Sequence, residues 1–596
     1  MLAAGAPCFS GSAREPDVRR QPWRGADLRV LAVGVLFVTA WAGIGYRLFT
    51  VQGAHAAEFA QRGFDQRIRH EEIEPPRGTI YDREGVELAV TVQGAAVVAD
   101  PSVIDDPVGT AELLAPIIGG NYVDFVQKLG GEGRFSYVAR RIERDVADRV
   151  AAAIEEHELV GVTIVDEPIR LYPAGSLAAN IIGLTRTDDG AGVEGLEMLF
   201  DGALTGDPGA LIVERDPAGR VIPQGEYLVE PATPGDDMVL TLDRDVQFIS
   251  ERALEDAVYR TGATWGAVVV LRPETGEILA MASSPSFDPS DRGSLDPEMM
   301  RNRAIAEVYE PGSTLKVLAV AGAIEEGIVD PTTPIDTPRS IQVGDATYEE
   351  GGFPPWMSVA DVVTHSSNVG AITIQRRLGN EEHYAYLDAF GLGRPASIDF
   401  LGEASGNLPH VDTWCVPCGS SAAIGYGVSV TPLQIAAAYA AIANDGEWVE
   451  PYIVAEIVDA AGNRELTEPR RHRVISAQTA ISLRRMLASV VERGTGTRAA
   501  VDGFRVGGKT GTADRFDVNA ARYSDTDTIA SFIGMAPIGD PEFVVAIVLD
   551  SPHGTIADGA DLKFGGASAA PVFAEIASAL LHQLGVAPDP SAARDE

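Results

Sequence analysis

The stretch Glu310-Pro311-Gly312-Ser313-Thr314-Leu315-Lys316, followed by an apolar, alanine-rich run over residues 317–324, decides how the rest of the chain is read. Pro311 and Gly312 stop the preceding element, and the run behind them has helix-forming composition, so Ser313 is placed at or near a helix N-terminus. Side chains three apart share a helix face, which sets the Lys316 amine over the Ser313 hydroxyl. A serine hydroxyl is a weak nucleophile until a base takes its proton, and a shielded lysine with a lowered pKa can be that base. The N–H groups of the helix N-terminus would face a developing oxyanion. By itself Ser-x-x-Lys is common, and a capping serine beside a solvated lysine is its ordinary meaning.

Two observations set that ordinary meaning aside. The chain holds four lysines, Lys128, Lys316, Lys509 and Lys563, among 47 basic residues. Where charge alone is wanted it uses arginine, and a guanidinium cannot give up its proton near neutral pH. A lysine retained at residue 316 points to proton transfer. The second observation is the pair Ser366-Ser367-Asn368 and Lys509-Thr510-Gly511-Thr512 further along. Alone, each is a polar turn or a hairpin edge. In this order behind Ser-x-x-Lys they resemble the three-part signature of penicillin-binding proteins and class A β-lactamases.

The 596 residues suffice for two or more domains, and 45% apolar with 22% charged content is that of a globular chain. A net charge of −39 argues against nucleic acid as a partner and suits a carboxylate-solvated surface in a salty medium. Family drift toward acidic residues explains it equally well. One apolar segment, residues 28–51, is long enough to span a bilayer. Arg14, Arg19, Arg20 and Arg24 precede it, as expected for a cytoplasmic N-terminus, which leaves residues 1–27 as a cytoplasmic tail and exports the rest. Ala54-His55-Ala56 could mark signal cleavage, but it lies far behind an overlong apolar run, so an uncleaved anchor is expected. Cys415-Val-Pro-Cys418 reads as a local disulfide or paired thiols, a metal site needing more ligands than nearby His410. No metal cluster or nucleotide loop is visible, and no cofactor is expected.

Along the exported chain, residues 52–234 form a mixed α/β region with helices expected over 111–129 and 143–156 and a hairpin from 211–215 and 220–223. Pro231-Ala-Thr-Pro234-Gly235 reads as a linker, beyond which residues 235–585 alternate strands and helices, leaving a short tail at 586–596. An antiparallel sheet flanked by helices, with a helical cluster carrying Ser313, is the α+β architecture expected.

From the anchor to about residue 580 the chain resembles the class B penicillin-binding proteins. The resemblance rests on Arg77-Gly78 with Asp82-Arg83, on Glu194-Gly195-Leu196-Glu197, on the three active-site elements, and on Gly565-Gly566 with Ala570-Pro571-Val572-Phe573. Ser366-Ser367-Asn368-Val369-Gly370 is similar to the cell-division (FtsI) type, whereas elongation-type relatives usually carry Asp at the place of Asn368. Leu315, Val317 and the Cys415–Cys418 insert depart from the pattern. The resemblance implies a membrane-anchored peptidoglycan D,D-transpeptidase and β-lactam target, with a transpeptidase fold behind an elongated pedestal (dimerisation-type) domain. By that resemblance Ser313 attacks a D-Ala-D-Ala stem peptide with Lys316 as base, Ser366 relays protons, and Asn368 holds Lys316 and the substrate amide. Lys509, Thr510 and Thr512 bind the substrate carboxylate, Gly511 allows close approach, and the N–H groups of Ser313 and Thr512 form the oxyanion hole. Arg77, Gly78, Asp82, Arg83, Glu194 and Glu197 are implied to be structural, as an ion network or partner surface toward the glycan polymerase and regulators of the division machinery. The same site could serve a serine D,D-carboxypeptidase or β-lactamase, or a silent β-lactam-binding scaffold.

Overall fold

The computed structural model describes residues 26–214, 227–396, 400, 402–517 and 522–589. The chain divides into two compact units, residues 1–73 with 210–230 and residues 74–209 with 231–596. The first unit holds the helix Ala26–Phe49, a π-helical turn Thr50–Ala54 and the helix Ala56–Arg67. The stretch Leu28–Ala54 is long and apolar enough to cross a membrane, and none of it is buried against protein. Strands Ile68–Ile73, Gly209–Glu214 and Tyr227–Glu230 form a three-stranded sheet. The hairpin expected near residue 211 thus closes with 227–230, in register Ala210↔Glu230 to Val213↔Tyr227. Residues 215 and 220–223 lie outside the described residues, as do the tail segments 1–25 and 590–596.

In the second unit the long strand Glu87–Ala99 is the spine of residues 74–209. It pairs antiparallel with Val162–Leu171 over its length and with Ser136–Ile142 at its far end. Helices Pro107–Ile118, Tyr122–Leu129 and Arg144–Glu156 cover one face, burying Ala111, Leu114, Phe125, Leu129, Ala147 and Val150 against Val97 and Val138. The single helix expected over 111–129 is two helices. Gly119 and Gly120 break it at φ +79° and +103°, and the Asn121 side chain caps the second piece by accepting the Val123 N–H.

The Pro- and Gly-rich stretch 231–235 is a packed crossing. Strand Asp237–Leu240 runs parallel to Ile80–Tyr81 on one side and antiparallel to Val454–Val458 on the other, inside one seven-stranded sheet. Gly78 is required there because a Cβ would lie 1.9 Å from the Asp236 carbonyl oxygen. Pro and Gly mark a tight backbone passage as readily as a free linker.

Five antiparallel strands form the second sheet of this unit, in the order Ile278–Ser284, Trp265–Leu271, Phe543–Asp550, Arg522–Ala536, Gly507–Asp517. Residues 265–271 and 543–549 of the two central strands are apolar apart from Gly266 because both faces are covered. Val268, Val270, Val545 and Ile547 meet helices Arg244–Thr261 and Ala570–Gln583, while Ala267, Val269, Ala546 and Val548 meet the helical cluster around residues 316–323 and 432–443.

The residues expected to form one ion network separate into distinct contacts. Glu197 is fully buried and receives Arg77 Nε at 2.6 Å and Arg170 Nε at 2.7 Å. Arg77 also reaches Asp201 at 2.7 Å. Tyr172 donates weakly to Glu197, and burial pushes its phenol up to about 12. Asp82 instead closes its own turn, accepting the N–H groups of Glu84 and Val86. Arg83 crosses to Glu277 at 3.6 Å. Burial raises the Glu194 carboxyl above its ordinary value, and Glu194 is not a member of this network. Arg170 and Asp201, which the network needs, carry no signal of their own in the sequence. Replacing Glu197 by Ala leaves two buried guanidinium groups without their shared carboxylate. It should destabilise the full-length protein by about 3–5 kcal/mol, read as a lowered denaturant midpoint, whereas an exposed pair such as Arg144→Ala should change it by less than about 1 kcal/mol.

Candidate active site

Ser313 lies in a 3-10 turn, Gly312–Thr314, and the α-helix begins only at Lys316. The turn is held from three sides. Tyr439, buried in the helix Pro432–Ala443, donates to the Thr314 carbonyl at 2.7 Å. Gly312 has φ +56° and its N–H bonds the Gly425 carbonyl, so closely that a Cβ on Gly425 would lie 2.1 Å from the Gly312 oxygen. Gly511 faces it across the sheet edge, where a Cβ would meet Ser531 Oγ at 2.2 Å and Pro311 O at 2.9 Å. A side chain at 511 would therefore strike the neighbouring strand and the turn that carries Ser313. Ser313 itself stays partly exposed.

Lys316 is 1% exposed, and its amine is turned to the second motif. It donates to the Ser366 carbonyl at 2.5 Å, to Asn368 Oδ1 at 2.5 Å and to Ser366 Oγ at 3.2 Å. No hydrogen bond joins it to Ser313. The serine belongs to the 3-10 turn and the lysine to the α-helix, so the pair straddles a junction, and two strong oxygen acceptors draw the amine away. Ser366 has φ 63°, a left-handed conformation at the C-cap of the helix Val359–His365 that a non-glycine residue adopts only under constraint. That conformation lets the next helix, Asn368–Leu378, start two residues later with Ser367 as its N-cap.

Lys509, with no exposed surface, enters from the edge strand and donates to Ser366 Oγ at 3.0 Å and to the Thr510 carbonyl at 3.0 Å. One hydroxyl thus receives two amines and keeps its own proton to give. Burial pushes the Lys316 amine down to about 7, partly opposed by the Glu350 carboxylate. Burial, and then the neighbouring Lys316, hold Lys509 well below its ordinary range. The Thr510 hydroxyl pairs with Thr495 Oγ1 at 2.6 Å, and Thr512 Oγ1 accepts the Gly565 N–H at 3.1 Å. Thr495 and Glu350 belong to this site and stand in no recognisable motif. Cys415 and Cys418 form a disulfide with Cα atoms 5.0 Å apart. Its loop leads through the helix Cys418–Ala423 to the Gly425 contact with the nucleophile turn.

Residues 266–578 match the penicillin binding protein transpeptidase domain, and residues 72–240 match the penicillin-binding protein dimerisation domain. The chain is 36% identical to PbpB of Mycobacterium tuberculosis over 91% of its own length and 83% of the relative's. It is 34% identical to stage V sporulation protein D of Bacillus subtilis, over 94% and 86%. Against FtsI of Buchnera aphidicola, named a peptidoglycan D,D-transpeptidase, identity is 31% over 91% and 93%. The crystal structure of penicillin binding protein 3 from Mycobacterium tuberculosis, complexed with aztreonam, superposes with a TM-score of 0.69 at 31% identity, covering 88% of this chain and 99% of that one. The chain belongs to the class B penicillin-binding proteins.

For this penicillin-binding protein the buried amine carries a pH signature. Below about 7 the Lys316 ammonium has no lone pair to accept a proton; above it the free base predominates. The rate of acylation by a penicillin should therefore rise through an acid limb near pH 7, far below the range of an exposed lysine. Lys316→Arg, which stays charged, should lower the rate at mildly alkaline pH by about 10²- to 10⁴-fold. Acylation rate constants across the neutral range check both.

Proposed function

We propose that this protein is a peptidoglycan D,D-transpeptidase that cross-links stem peptides through an acyl-enzyme on Ser313 during septal wall synthesis, and that β-lactams are its inhibitors. The observation that carries the assignment of roles is the convergence of Lys316 and Lys509, both buried, on Ser366 Oγ next to the nucleophile turn. The neutral Lys316 amine takes the Ser313 hydroxyl proton as Oγ attacks the carbonyl of the penultimate D-Ala. The N–H groups of Ser313 and Thr512 receive the oxyanion. The C–N bond to the terminal D-Ala then breaks, and the proton passes from Lys316 through Ser366 to the leaving nitrogen. An amine of a neighbouring stem attacks the resulting ester, loses its proton along the reverse path and restores the Ser313 hydroxyl. Asn368 fixes the Lys316 amine and offers its amide to the substrate backbone. Lys509, with Thr510 and Thr512, takes the terminal carboxylate, whose charge would oppose the shift that burial imposes on that amine.

The N-terminal apolar helix anchors the chain once, with the arginines before it on the cytoplasmic side and the catalytic unit on the cell-wall side where stem peptides lie. The surface of residues 74–209 is the place for the glycan polymerase and regulators of division. One relative is named a stage V sporulation protein and another a peptidoglycan D,D-transpeptidase, which supports the wall-synthesis role.

Labelling the detergent-solubilised full-length protein with a fluorescent penicillin tests the chemistry. A covalent band stable for hours in the wild type and absent in Ser313→Ala supports a transpeptidase. Loss of the band within seconds to minutes would make the enzyme a hydrolase. No band in a folded protein would make it a silent scaffold.

A further inference from the structure

Beyond the three motifs, one side chain organises the second of them. The antiparallel hairpin Ser340–Val343/Ala346–Glu349 ends at Glu350, whose N–H bonds the Arg339 carbonyl at 2.8 Å. From this fixed backbone the carboxylate reaches the joint between the helices Val359–His365 and Asn368–Leu378. Glu350 Oε1 accepts the Asn368 N–H at 2.6 Å, and Oε2 accepts the Ser367 hydroxyl at 2.5 Å. Ser367 Oγ in turn accepts the Gly370 N–H at 2.9 Å. Both carboxylate oxygens are thus spent at the N-terminus of an 11-residue helix, where negative charge is favoured. Ser367, the helix N-cap, satisfies the Gly370 N–H, and Glu350 satisfies that of Asn368 while also binding the capping hydroxyl itself.

What these bonds fix is the position of Asn368. Its N–H is held by Glu350 and its side-chain oxygen holds the Lys316 amine, so a chain of contacts runs from Glu350 through Asn368 to Lys316 and Ser366. The charged groups that act on Lys316 come from two directions. Lys509 stands on the edge strand, and Glu350 is the carboxylate at the end of the hairpin. Ser366 and Asn368 contribute uncharged acceptors between them.

We propose that Glu350 is a positioning residue of the transpeptidase site, setting the place of Asn368 and supplying the negative charge that balances Lys316. This rests on the roles given to Ser313, Lys316 and Asn368 under the proposed function. Glu350 does not touch substrate. It acts through Asn368 by two hydrogen bonds and on Lys316 by its field, and the two effects are separable by substitution. Glutamine keeps the shape and one acceptor but removes the charge. Without that charge the ammonium form of Lys316 is less favoured, so the free base appears at lower pH. Alanine removes both effects.

The experiment is the pH dependence of penicillin acylation in full-length wild type, Glu350→Gln, Glu350→Asp and Glu350→Ala, beside Ser313→Ala, with thermal melts of each. In Glu350→Gln the acid limb should move to lower pH by about half a unit or more, with the melting temperature close to wild type. Glu350→Ala should lose roughly tenfold or more in acylation rate at the optimum through loosening of Asn368. Glu350→Asp, which keeps the charge, should return the limb toward its wild-type position. A limb that stays in place in Glu350→Gln, or a Glu350→Ala rate within about twofold of wild type, overturns the proposal. A fall in melting temperature with rates and limb unchanged would make Glu350 a helix cap only, which also overturns it. If Ser313→Ala labels like wild type, the underlying assignment fails first, and the inference falls with it.

Discussion

Everything in this fold answers to one constraint: two lysine amines must be kept out of water within reach of a single serine hydroxyl. An ammonium moved into a dry interior without partners is strongly disfavoured, and it responds by losing its proton. The displacement of Lys316 from 10.5 to about 7 corresponds to a few kcal/mol in favour of the free amine, at about 1.4 kcal/mol for each factor of ten. The same burial that would be a liability elsewhere brings the free amine of Lys316 into the neutral range. It works only if the acceptors around the amine are themselves immobile, since a shifted carbonyl or amide would leave a buried polar group unpaired.

That immobility explains features far from the amines. Ser366 occupies a left-handed conformation because two helices must meet at the point where its hydroxyl and carbonyl both face Lys316. The nucleophile turn is pressed against the edge strand so tightly that neither Gly511 nor Gly425 could carry a side chain. Tyr439 reaches from a helix whose every residue is buried to fix the carbonyl next to the nucleophile. The central sheet contributes through its edge: Lys509, Thr510, Gly511 and Thr512 pair with 530–533 of the neighbouring strand, and that strand with 546–549 of the next, so the wall of the site moves only if the sheet does.

The two lysines that meet at Ser366 were legible because the chain uses lysine so rarely. Of its four, two meet at Ser366, while Lys128 donates to the Val138 carbonyl and Lys563 pairs with Asp561. Rarity narrowed the choice and motif order completed it. The strands also followed from composition, since Val268 to Leu271 and Phe543 to Leu549 leave little alternative to a doubly covered sheet. Partnerships set by tertiary approach were not legible. Nothing local distinguishes Glu350 from its neighbour Glu349, yet a hairpin register and one turn of backbone bring only the former to Asn368. Nor does the spacing of Ser313 and Lys316 foretell the direction of the amine, because the junction between a 3-10 turn and an α-helix falls between them. Arg170 joins Glu197 across 27 residues and Asp201 joins Arg77 across 124, separations that no periodicity spans.

The packed crossing at residues 231–240 bears on what the region before it can do. Strand Asp237–Leu240 lies between Ile80–Tyr81 and Val454–Val458 in one sheet, and the next residue, Thr241, donates its hydroxyl to the Ile278 carbonyl on the edge strand of the other. Buried Thr241 is thus one tie between the two sheets, and the Asp243 N–H, donated to the Leu279 carbonyl at 2.9 Å, reinforces it. A second tie lies nearby, where the Glu251 carboxylate, pushed up to about 7 by burial, accepts the N–H of Ala178, itself held at φ 57°. Asn180 adds a bond to the Met299 carbonyl at 2.7 Å. A region joined in this way cannot swing as a bead on a flexible string. Its strands share hydrogen bonds with strands of the catalytic half, so displacing residues 74–209 requires breaking ladder bonds or bending the sheet that carries Thr241. Residues 74–209 and the catalytic unit therefore hold together through shared sheet and side-chain hydrogen bonds.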